Sequence, residues 1–110
     1  MPIVRVSVSR CQPGQFAELK RMMAESIAVL EPGIRRLRGL IHFYAGEDEA
    51  ANALINVSVW QTLEDAKHLD TFQPMLDLGK EFVSKGAIFE RPIINYASLW
   101  EIAPECTPTH

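Results

Sequence analysis

Cysteine is scarce in this chain of 110 residues: Cys11 and Cys106 stand far apart, in no CxxC spacing and with no histidine pair beside them. Neither a zinc site nor a dithiol redox motif is indicated. A disulfide between the two stays open, and free thiols are the expectation in a cytoplasmic protein. Charge of one sign is also lacking. The net charge is −3, and basic residues gather only at Arg35, Arg36 and Arg38, too narrow a cluster for the stripe that nucleic acid requires. No stretch approaches the roughly 18 apolar residues of a membrane helix, and the N-terminus lacks the basic-then-apolar order of a secretory signal. The expectation is a cytoplasmic chain whose partners include neither nucleic acid nor membrane.

What is present is the composition of an ordinary folded domain, 47% apolar and 23% charged, in a chain long enough for one core. Val4, Val6 and Val8 alternate with Arg5, Ser7 and Ser9, which predicts a strand. After Pro13-Gly14, apolar residues recur at Phe16, Leu19, Met23, Ile27 and Leu30, the stripe of an amphipathic helix that Glu31-Pro32-Gly33 should end. Extended stretches come next, at about Leu37 to Ala45 and Ala53 to Trp60, separated by a polar loop from Gly46 to Asn52, so an antiparallel hairpin is the economical pairing. Thr62-Leu63-Glu64-Asp65 has the form of a helix cap. Pro74 and Gly79 divide the segment after it into a helix to about Asp70 and another from Pro74 to about Val83. A last strand is expected from Ile93 to Ile102, and the tail from 103 to 110 is expected to fray.

The order strand, helix, strand, strand, helix, strand predicts an α+β, ferredoxin-like βαββαβ domain over residues 1–102, a four-stranded antiparallel sheet with its helices on one face. Both sheet faces carry apolar groups: Ile55, Val57 and Val59 oppose Leu54 and Trp60, while Ile94 and Tyr96 oppose Ala97 and Leu99. A face left open would exceed the apolar patch a monomer usually carries. A second copy of the chain is the expected cover, which makes the protein its own partner as a homodimer.

Two local patterns, Val57-Ser58-Val59-Trp60 running into Gln61-Thr62-Leu63-Glu64-Asp65-Ala66, and Arg91-Pro92-Ile93-Ile94-Asn95-Tyr96, carry a resemblance. Over about residues 2–102 the chain resembles the antibiotic biosynthesis monooxygenase-like group of dimeric α/β-barrel proteins. The resemblance implies two sheets packed face to face, with a small pocket in each subunit between helices and sheet. It also implies oxidation of a quinol or aromatic substrate without metal or flavin. The haem-degrading members rely on an Asn, a Trp and a His where this chain has Ser7, Leu69 and Gly79, so haem degradation is disfavoured and no cofactor is expected.

Pairing Ala45 with Ala53 would set His42 opposite Asn56, Tyr44 opposite Leu54 and Leu40 opposite Ser58, on one face. In that register His42 is the expected base and Asn56 the hydrogen-bond donor for a small aromatic ligand stacked on Trp60 or Tyr44, with Ser58 beside them. Arg5 and Ser7, on the polar face of the first strand, are within reach of the same pocket and suit an anionic group, while pairing of Arg5 with a carboxylate across the dimer is an equal alternative. The plainer reading is that His42 and Asn56 satisfy each other in a half-buried sheet and that Trp60 belongs to the core. A non-catalytic dimeric binding or interaction module, or an isomerase using the same acid-base group, therefore stays open beside the oxygenase.

Overall fold

The computed structural model describes residues 1–105; Cys106 and the end of the expected tail lie outside the described residues. Strand β1 (Ile3–Arg10) leads into helices α1 (Pro13–Glu25) and α2 (Ile27–Ile34), then strands β2 (Leu40–Asp48) and β3 (Ala53–Trp60). Helices α3 (Leu63–Lys67) and α4 (Gln73–Ser84) come after the hairpin, then the short strands β4 (Ile88–Phe89) and β5 (Ile94–Ala97). The expected ferredoxin-like α+β fold is what forms, although the sheet has five strands rather than four. Its order is β2-β3-β1-β4, and β5 also pairs with β1. Every pairing is antiparallel, and β4 and β5 share the lane beside β1.

That shared lane corrects the expected last strand. Only Ile94 to Ala97 of the stretch is paired, and an unforeseen piece, Ile88-Phe89, takes the other end of β1. Between them lies Pro92, which has no N–H to give the ladder. Beyond β5 the Ser98 N–H and Oγ–H both donate to the Pro2 carbonyl, after which Leu99, Trp100 and Ile102 leave the sheet exposed.

The first helix is also shorter than its apolar stripe predicts. It breaks at Ser26, whose hydroxyl donates to the Met23 carbonyl at 2.6 Å, a side-chain bond of the kind that bends helices. Ile27 is consequently 61% exposed. Pro32 does not end α2; the chain continues helically to Ile34, where the Gly33 backbone lies against the Phe72 ring too closely to admit a Cβ. Thr62 caps α3 as expected, its hydroxyl accepting from the Asp65 N–H at 3.1 Å.

The hairpin register differs from the expected one by three residues. Gly46, Glu47 and Asp48 belong to the strand, pairing with Ile55, Leu54 and Ala53, and the reversal is made by the 3-10 turn Glu49–Ala51 with Asn52 at positive φ. Asn56 therefore faces Ala45, and Ser58 faces Phe43. His42 faces Val59 and Tyr44 faces Val57. An odd shift exchanges faces, so the structure does not stack His42 and Tyr44 with Asn56 and Ser58. A bulge between Leu40 and His42 lets Leu40 still face Trp60.

The helices cover the face that carries Arg5, Ser7 and Ser9 in β1 and Leu54, Asn56, Ser58 and Trp60 in β3. Its apolar packing falls into two clusters instead of the usual single core. One joins Phe16, Leu19, Leu54, Phe82 and Ala87. The other joins Trp60, Ala66 and Leu69. The opposite face bears Val4, Val6 and Val8 beside Ile55, Val57 and Val59, with Ile94, Tyr96 and Tyr44 about half exposed around them.

Candidate functional site

Between the two clusters the sheet and α4 leave a cavity of about 740 Å³, within the range that takes a small organic ligand. Its walls are apolar: Leu30, Phe43, Leu69, Met75, Phe82 and Phe89 are among them. Its floor is a polar patch of the sheet, made by Arg5, Ser7, Asn56 and Ser58. Strand pairing puts these groups side by side, with Arg5 opposite Ser58 and Ser7 opposite Asn56. The alternation that makes β1 a strand thus turns its polar half inward, where an ordinary core would take the valines.

Arg5 is only 5% exposed. Its Nη2 donates to Asp70 Oδ1 at 2.6 Å, and its Nη1 donates to Asn95 Oδ1 at 3.3 Å. Asn95 is its neighbour across the sheet, whereas Asp70 belongs to the 3-10 turn His68–Thr71 that joins α3 to α4. Buried guanidinium groups require such partners. Ser58 is spoken for on one side, because its Oγ accepts from Trp60 Nε1 at 2.8 Å. Asn56 is the exception: its Oδ1 is buried and has no hydrogen-bond partner among the described residues.

Of the residues expected to form the site, Arg5, Ser7, Asn56 and Ser58 meet in this cavity. Trp60 does not line it. The indole is fully buried against Ala66 and Leu69, so the ring that was to stack on a ligand is core. Tyr44 is 58% exposed on the helix-free face, with the His42 ring 5.9 Å away. His42 lines a second cleft of about 460 Å³ beside edge strand β2, which Asn56 also borders. His68, on the turn after α3, is exposed.

Sequence reasoning missed Asp70, Lys80, Arg91 and Asn95. The Arg5–Asn95 adjacency can be read from the pairing of first and last strands once their register is known. Asp70 and Lys80 come from α4 and the turn before it, whose approach to the sheet no periodicity reveals, and Arg91 comes from the turn between β4 and β5, a break that the expected single last strand did not contain. The positions of Ser7, Leu69 and Gly79 do converge on the cavity, yet none supplies a nitrogen, sulfur or carboxylate ligand for haem iron. No group of three or more His, Cys, Asp or Glu able to hold a metal occurs among the described residues. Burial raises the Cys11 thiol above its ordinary pKa, which lowers its thiolate fraction and its reactivity. Among the described residues no helix is long and apolar enough to cross a membrane.

No family model matches the sequence. No curated protein matches it either. Solved structures do. A candidate antibiotic biosynthesis monooxygenase from Deinococcus radiodurans superposes with a TM-score of 0.69 at 13% identity, over 96% of this chain and 100% of that one. Another from Nitrosomonas europaea gives 0.68 at 14% identity, over 93% of this chain and 94% of that one. This chain has the antibiotic biosynthesis monooxygenase fold. SnoaB, a cofactor-independent oxygenase from Streptomyces nogalater, shares that fold with a TM-score of 0.64 at 12% identity, over 94% of this chain and 98% of that one. At such identities the likeness speaks for the fold, and residue roles within the monooxygenase fold have to be argued from the cavity itself.

Proposed function

We propose that the chain is a cofactor-independent monooxygenase acting on a small aromatic or quinol-type substrate, with Asn56 holding the substrate's reacting oxygen. The observation that carries this reading is the unpartnered Asn56 Oδ1 on the floor of an apolar-walled cavity. A buried acceptor without a donor destabilises the empty protein, and a ligand hydroxyl is the kind of group that would complete it. SnoaB lends support, since a cofactor-free oxygenase is built on the same fold.

The chemistry asks little of the protein. A ring CH₂ acidified by a conjugated carbonyl, as in an anthrone or the keto tautomer of a quinol, loses a proton to give an electron-rich anion, and Asp70, the one carboxylate among the described residues lining the cavity, is the group to take it. That anion reduces oxygen directly: one oxygen atom becomes the new carbonyl of the product and the other leaves as water. All four electrons come from the substrate, so no reductant is needed. What the site contributes is orientation against Phe43 and Phe82 and hydrogen bonding to the developing oxyanion from the Asn56 amide N–H and the Ser58 hydroxyl. His42 has no part in this scheme because it does not line the cavity that brings Arg5, Ser7, Asn56 and Ser58 together.

The test is oxygen consumption by the metal-free, flavin-free protein with a panel of anthrones and hydroquinones. Turnover that rises with protein concentration is the expected result. Turnover only on adding flavin or metal would overturn the reading, and ligand binding without turnover would make the chain a binding module.

The same proposal includes a homodimer formed through the helix-free sheet face, where six branched aliphatic side chains from β1 and β3 form a continuous surface. A solution mass near twice 12.4 kDa is expected. Val57 faces Val6 at the middle of that surface, so Val57→Lys would set a charge into it. The dissociation constant should rise by about 100-fold or more, as measured by sedimentation equilibrium. A monomeric wild type, or a Val57→Lys variant that dimerises unchanged, would contradict the arrangement.

A further inference from the structure

We infer that the cavity's ligand carries an acidic group, and that Arg5 is the residue that selects it. This rests on the reading of the cavity as the substrate site. Among the cavity's charged groups are three cations, Arg5, Lys80 and Arg91, against one carboxylate, Asp70. Neither Lys80 nor Arg91 has a carboxylate within ion-pair distance among the described residues, whereas most of the chain's other basic side chains do. An excess of positive charge over apolar walls concentrates anions and rejects cations.

Arg5 sharpens this from a general field to a specific contact. The guanidinium offers five N–H donors in a planar fork, of which Asn95 and Asp70 engage one each. Asp70 is a half-solvated partner, its side chain 54% exposed against 6% for Arg5. Its attraction for the buried cation is therefore weakened by water on its outer side. A ligand carboxylate lying inside the cavity would be desolvated with Arg5 and could pair with it in the bidentate manner that suits a guanidinium. A ring attached to that carboxylate would then extend between Phe43 and Phe82, toward Asn56.

The experiment compares matched pairs of ligands that differ in the acid alone: 1-hydroxy-2-naphthoate with 1-naphthol, and 2,5-dihydroxybenzoate with hydroquinone. Calorimetric dissociation constants are measured for the wild type, Arg5→Gln and Asp70→Asn. In the wild type each acid should bind on the order of tenfold more tightly than its neutral partner, the usual effect of one charge-assisted contact. Arg5→Gln should erase that preference while leaving 1-naphthol within about threefold of its wild-type affinity. Asp70→Asn removes the competing carboxylate, so it should widen the preference for each acid over its neutral partner; it also decides the matter should Arg5→Gln fail to fold. Neutral ligands binding as well as the acids would overturn this inference and leave the cavity assignment standing. Binding of neither class would overturn both.

Discussion

Replacing Trp60 with alanine is expected to destabilise the fold by about 3–5 kcal/mol, the usual range for emptying a buried aromatic site. Urea denaturation of the wild type and the variant would measure it. The indole is fully buried and is the largest member of its cluster, so its removal leaves Ala66 and Leu69 facing a void. A second loss accompanies the first. Trp60 Nε1 is the donor to Ser58 Oγ, and Ser58 is only 2% exposed, so the hydroxyl would lose that partner. Trp60→Phe keeps part of the packing while removing three ring atoms, the N–H among them, and should cost less than alanine, about 1–3 kcal/mol. Because a domain's whole stability is only about 5–15 kcal/mol, the alanine variant would be near the edge of folding at room temperature. Trp60→Phe should still bind aromatic ligands as the wild type does, since the indole does not line the cavity. A selective loss of binding in that variant, with stability intact, would return Trp60 to the site.

Trp60 also shows which parts of the molecule are legible in one dimension. The alternation in β1 and β3 and the Thr62 cap are local properties, written in consecutive residues, and they led to the ferredoxin-like fold. Parity within a single strand is equally local: Arg5 and Ser7 do share a face, as do Asn56 and Ser58. The relation between strands is not local. Placing His42 with Asn56 required a register, and that register depended on whether Gly46, Glu47 and Asp48 were loop or strand. Their polar composition suits either state. Cross-strand pairing with Ile55, Leu54 and Ala53 decides for strand, and the three-residue difference reverses the faces of β2 side chains from His42 onward relative to β3.

A different limit applies to the cavity. Hydrophobic patterning says which half of a strand is apolar, and the ordinary inference sends that half toward the helices. Here the valine half of β1 faces away from them, and the Arg5, Ser7 and Ser9 half faces in. The inversion has its reason in the site itself: a polar floor under apolar helices makes room for a ligand with one polar edge, while the valines are left for a surface that needs covering. The contribution of Arg91 could not be read because it lies in the break between β4 and β5, and that of Asp70 and Lys80 because it depends on how α4 and the turn before it approach the sheet. That approach is set by packing between distant residues, such as Phe82 against Leu54 and Leu19.

Asn56→Leu should separate function from stability more cleanly than any other change in the molecule. Leucine has the same branching and number of side-chain heavy atoms as asparagine, with the adjoining cavity to take its extra volume, and it removes the one buried side-chain acceptor that lacks a partner among the described residues. Leaving such a group unsatisfied costs about 1–3 kcal/mol, so the variant is expected to melt at the same temperature as the wild type or higher. Oxygen uptake with a substrate that the wild type turns over should instead fall by about 10²–10³-fold, the usual effect of losing one preorganised group at a developing oxyanion. The loss should appear in kcat more than in KM, because the variant also lacks the amide Nδ2–H, whose hydrogen bond strengthens as charge builds on the substrate oxygen. If Asn56 were a structural residue, the signs would reverse: the variant would melt lower and any loss of activity would track the unfolded fraction. Stability held or gained together with turnover lost is the pattern of a group retained for chemistry at some expense to the fold. A variant that melts lower and still consumes oxygen at the wild-type rate would remove Asn56 from the reaction, and with it the observation on which the oxygenase reading rests.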